Sequence, residues 1–94
     1  MSTKSTKTVI IGNIQMSGEI YEALQTVKEL GNDGNGGSTG KVAANYADSA
    51  LYYCQNQIDF NNLCAYVLSN MFTMRGEEIK KIRKLLKTLL KENR

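Results

Sequence analysis

Between Ile79 and Leu90 six of twelve residues are aliphatic, and four of them, Ile79, Ile82, Leu86 and Leu89, step along the chain at intervals of 3, 4 and 3. Side chains so spaced fall on one face of an α-helix, because its turn returns every third or fourth residue to the same side. Leu85 and Leu90 widen the stripe into the kind of seam one helix offers another. A chain of 94 residues hides only a modest share of its surface on folding, so a second copy is the natural cover for this seam. Ile79, Ile82, Leu86 and Leu89 are therefore candidate interface residues of a homodimer or higher oligomer.

Helical spacing continues upstream. Ile20, Ala23, Leu24, Val27 and Leu30 follow Ser17, whose hydroxyl can cap a first turn, and Glu19 suits the positive end of the helix dipole. From Lys41 onward, Ala43, Tyr46, Ala47, Ala50, Tyr53 and Cys54 form a second stripe, with Tyr52 pointing away from it. Asp59 is a plausible cap for a third helix that buries Leu63, Val67, Met71 and Met74, with Phe60, Cys64 and Phe72 beside them. Gly76 permits a break, after which a last helix runs to about Asn93. Thr6 to Gln15 is the one good strand candidate, its core being the β-branched Val9, Ile10 and Ile11. A lone strand is unstable, so Thr8 to Ile14 is expected to pair with its copy in another subunit or with a partner's sheet edge.

These signs predict a single, mainly α domain, a three- to four-helix bundle with one short N-terminal β-strand and a core completed by oligomerisation. Residues 1–7 are expected to be a flexible N-terminus, 31–40 a flexible Gly-rich loop without apolar side chains, and 77–93 a basic amphipathic helix.

Charge is distributed unevenly. Arg75 to Arg94 carries eight basic residues against three acids, a local +5, which leaves −2 for the remainder of a chain whose net charge is +3. Lys80, Lys84, Lys87 and Lys91 lie at intervals of 4, 3 and 4 along one flank of the last helix, and they are the candidate nucleic-acid contacts. There is no histidine, the acids are scattered, and Cys54 and Cys64 sit in apolar segments at a spacing unlike that of zinc ligands. A non-enzymatic binding protein without metal or cofactor is the expectation. No stretch approaches the length of a membrane span or a signal-peptide core, so a cytoplasmic location is expected.

The glycine segment ends Ser38-Thr39-Gly40-Lys41 before a helix, as a phosphate-binding P-loop does, but Asn35 stands where that pattern needs glycine and Val42 where it needs Ser or Thr. Free N–H groups at such a helix start could still hold an anion, which makes Thr39, Gly40 and Lys41, together with Tyr52, candidate ligand contacts. The order strand, helix, loop, helix over the first forty to fifty residues resembles ribbon-helix-helix DNA-binding modules, although the loop here is longer. That resemblance implies strands paired between two chains, with Lys7, Thr8 and Asn13 available to bases. Arg75 to Leu86 is similar to the opening helix of phage-repressor-type helix-turn-helix domains.

The expected function is a small protein-interaction or regulatory module, such as an inhibitor, adaptor or assembly factor of the size common on phages and plasmids. A DNA- or RNA-binding regulator using the basic last helix is the first alternative. A binder of a small anion or nucleotide at an oligomer interface is the second.

Overall fold

The computed structural model describes residues 8–92, the side chain of Glu92 excepted. The expected flexible segment 1–7 and the last residues, 93–94, lie outside the described residues. The chain forms a β-hairpin followed by four helices: β1 (Thr8–Ile11), β2 (Ile14–Ser17), α1 (Gly18–Asn32), α2 (Gly37–Tyr52), α3 (Gln57–Ser69) and α4 (Glu77–Glu92).

The strand expected to seek a partner finds one in its own chain. β1 and β2 are antiparallel, with Val9 opposite Met16 and Ile11 opposite Ile14. Gly12 and Asn13 form the two-residue turn between them. Gly12 has φ +61°, the left-handed value that a glycine-first hairpin turn requires at its first central position. Ile14 and Met16 are buried, Val9 and Ile11 pack against the same core, and Ile10 faces solvent. The Gln57 side-chain amide then grips the outer rim of β2, accepting from the Gln15 N–H at 3.1 Å and donating to the Gln15 carbonyl at 2.9 Å. β1 thus takes its partner strand from its own chain, where the ribbon-helix-helix resemblance implied a strand from a second chain.

Ser17 caps α1 as expected, its hydroxyl accepting from the Ile20 N–H at 3.2 Å. The segment read as a flexible loop is largely helical, because α1 continues to Asn32 and α2 begins at Gly37. Gly31, Gly36 and Gly40 are packing residues, whereas Gly34 and Gly37 have open space around them. A Cβ at Gly40 would run into the Asn35 carbonyl, and one at Gly31 into the Gly40 carbonyl and the Cβ of Ala44. Close approach continues along α2 through Ala43, Ala47 and Ala50, all buried. Leu51 completes this inner stripe, whereas Tyr53, expected inside, ends the helix and is 70% exposed.

Asn56, rather than Asp59, caps α3, its Oδ1 accepting from the Asp59 N–H at 2.8 Å, while the Asp59 carboxylate accepts from the Gln55 N–H at 3.2 Å. This reciprocal arrangement resembles a capping box. Phe60, Cys64, Val67, Met71 and Met74 are buried and Leu63 is half-buried.

α4 lays its stripe on α1 and α3. Ile79, Ile82 and Leu86 are buried, and Leu89 is half-buried against the same core. Three of the four expected interface residues, Ile79, Ile82 and Leu86, are thus taken up by packing within the chain, while Leu85, Leu89 and Leu90 are only partly covered. No helix among the described residues is long and apolar enough to cross a membrane.

Candidate nucleic-acid interface

With its aliphatic side turned inward, α4 presents its lysines outward. Lys80, Lys81, Lys84, Lys87 and Lys91 are all exposed. Lys80 through Lys91 cover eleven helical steps, roughly 16 Å at a rise of ~1.5 Å per residue. Lys80, Lys81, Arg83, Lys84 and Lys87 alone line a shallow recess of about 480 Å³. Lys80 Nζ stands 3.8 Å from the Glu77 carboxylate, both side chains being largely solvated, so this pair neutralises little. Among the described residues, Lys84, Lys87 and Lys91 form no ion pair.

Arg83, at the edge of that recess, reaches inward. Its Nη2 donates to the carbonyls of Met71 at 2.9 Å and Met74 at 3.0 Å, fastening the loop between α3 and α4 from beneath. Two further contacts tie the same loop to the α1–α2 turn. The Thr73 hydroxyl donates to the Gly36 carbonyl at 2.8 Å. The Asn35 side-chain amide bonds the Arg75 backbone twice, its Nδ2 donating to the carbonyl and its Oδ1 accepting from the N–H, each at 2.9 Å. Met71 and Met74 anchor the loop in the core, yet Phe72 between them is 70% exposed. The expectation that Phe72 lies beside the buried stripe of α3 fails because α3 ends at Ser69, and helical spacing no longer applies beyond it. Phe72, like Tyr53, is exposed where its spacing predicts burial.

The candidate anion contacts do not converge. Gly40 is buried against α1 and its N–H is taken by the Gly36 carbonyl at 3.1 Å, while Thr39 is half-buried and Lys41 faces solvent. Tyr52 sits twelve residues further along α2, roughly 18 Å from Gly40 by helical rise. It lies beside Lys28, whose Nζ is 5.4 Å from the Tyr52 ring centroid and 2.9 Å from the Asp48 carboxylate. The hydrogen bond to Asp48 holds the Lys28 ammonium above its usual pKa. The hydrogen bond with Tyr52 likewise raises the Tyr21 phenol.

Neither thiol is arranged as a nucleophile. Burial, and secondarily the charge of Asp59, pushes Cys54 up to about 11, and burial, with Cys54 as the lesser cause, pushes Cys64 up to about 12. Cys54 Sγ donates to the carbonyls of Ala50 at 3.4 Å and Ser49 at 3.6 Å. Among the described residues no group of three His, Cys, Asp or Glu side chains is placed to hold a metal ion.

Compared with known protein families, curated proteins and solved structures, the chain matches none.

Proposed function

We propose that the protein binds nucleic acid through the lysine face of α4, by contacts to the phosphate backbone. The observation that carries this reading is the exposed row Lys80, Lys84, Lys87 and Lys91 on a helix whose other side is already committed to the core. A row of solvated ammonium groups with little carboxylate compensation attracts a polyanion and releases its counterions on binding. Four phosphate contacts correspond to a salt slope of roughly −3 in log affinity against log salt. Fluorescence anisotropy with labelled DNA and RNA across a salt series tests this. The double variant Lys84→Gln/Lys87→Gln is expected to flatten the slope by roughly 1.5 and to weaken every sequence alike. Absence of binding at low salt would sink the proposal.

A second reading, as a protein-interaction module, is supported by exposed apolar side chains outside α4. Tyr53 is 70% exposed and Ile58 73%, while Tyr66 meets the half-buried Tyr46 with ring centroids 5.2 Å apart. Exposed aromatics of this size are frequent anchors of protein contacts. Self-association would use these side chains, since Ile79, Ile82 and Leu86 of the α4 seam are buried. A nuclease-resistant stoichiometric complex that is lost in Tyr66→Ser would favour this reading over the first.

A further inference from the structure

Phe72 is held out in solvent by a loop that has little freedom to withdraw it. The loop is anchored by the buried Met71 and Met74, gripped by Arg83 at two carbonyls, and tied to the α1–α2 turn through Thr73 and Asn35. An exposed aromatic on a mobile segment would be unremarkable, but here the fastenings fix its position, and pre-ordering lowers the entropic cost of a contact.

The surroundings of that ring narrow what it can contact. Phe72 borders a recess of about 310 Å³ whose other walls include Arg75, Lys80 and Arg83, with Met74 and Ile79 at its base. Lys80 belongs both to this recess and to the lysine row, so the cationic track along α4 leads directly to the ring. A polyanion lying on Lys91, Lys87, Lys84 and Lys80 therefore arrives beside an aromatic face. In a duplex the base faces are covered by their neighbours. Only an unpaired base has a face open to stack on such a ring, and stacking beside a basic track is how single strands are held without sequence readout.

We infer that the preferred ligand is single-stranded nucleic acid, with phosphates along Lys80, Lys84, Lys87 and Lys91 and one unpaired base stacked on Phe72. This rests on the nucleic-acid reading above and adds to it the strandedness of the ligand and a residue outside the lysine row. Arg83 acts as a positioning residue, since its guanidinium holds the loop.

The chain has no tryptophan, so Phe72→Trp supplies a single fluorescent reporter at the proposed contact. Its emission is to be titrated with an oligodeoxyuridylate of about twelve nucleotides, an oligouridylate of equal length, and a DNA duplex. Quenching that saturates with either single strand and is much weaker with the duplex is the expected result. An effect from only one of the two strands would assign the sugar. In parallel, Phe72→Ala is expected to lose roughly five- to hundredfold affinity for single strands, with duplex affinity and salt slope unchanged. Because the ring is mostly exposed, thermal unfolding of both variants should match the parent. Unchanged Trp emission at saturating single strand, or Phe72→Ala binding as tightly as the parent, would overturn the inference while the lysine-row reading stands. A parent protein that binds no nucleic acid at all would overturn both.

Discussion

At Gly40 the absence of a side chain is what lets the Asn35 carbonyl lie against the backbone of α2, so even a methyl group has no room there. Gly40→Ala is therefore expected to destabilise the fold by about 1–3 kcal/mol, read as a lower urea midpoint, while Ser38→Ala on the exposed side should leave it nearly unchanged. The two thiols set a limit at the other end of the pH scale. Their folded-state pKa values lie at about 11 and about 12, above the ordinary thiol range of roughly 8.5. The unfolded chain thus releases these protons first, so their contribution to stability is complete below about pH 8.5 and is lost as pH rises through the folded values. Urea midpoints should fall between about pH 8 and 10.5, and Cys64→Ala, though less stable at neutral pH, should show the shallower decline. None of this was visible in composition. A count of five glycines from Gly31 to Gly40 suggests freedom, and only the distance between α1 and α2 turns two of them, Gly31 and Gly40, into close-packed contacts.

Among the elements, the hairpin depends on one side chain from outside it. Gln57 occupies both outward backbone groups of Gln15, and removing it leaves them to water and frees the hairpin from α3. Gln57→Ala should speed amide exchange in β1 and β2 by about tenfold, leaving α4 unaffected, as measured by hydrogen exchange. Elements with sustained periodicity and a cap were legible in the sequence, α1 with Ser17 and α4 with its opening acids most clearly. The hairpin was signalled by Gly12-Asn13 between two apolar runs, but those residues also read as the middle of a single strand, and four-residue strands are too short for alternation to decide. Element ends were the least legible. Tyr53 and Phe72 each follow the last helical turn, where the three- and four-residue rule stops determining direction. The exposure of Lys80, Lys84, Lys87 and Lys91 follows from their spacing against the aliphatic stripe, whereas the loop that sets Phe72 beside Lys80 depends on contacts from Asn35, some forty residues away in sequence.

For the molecule as a whole, the decisive point is that amphipathicity specifies a face to be covered without saying what covers it. The buried part of the α4 stripe, Ile79, Ile82 and Leu86, is covered by α1 and α3 of the same chain and needs no second copy to cover it. The midpoint of thermal unfolding should accordingly be independent of protein concentration across the micromolar range. Leu86, fully buried where the helices meet, should cost about 2–5 kcal/mol when replaced by alanine, with the loss seen simultaneously by far-ultraviolet circular dichroism and tyrosine fluorescence as one cooperative transition. The grip of Gln57 on β2 has one more consequence at this scale. Open strand edges allow proteins to polymerise, and growth into a fibril needs two of them on every unit. With the β2 side stoppered by a glutamine amide, edge-to-edge addition of folded units through β1 would end at a pair.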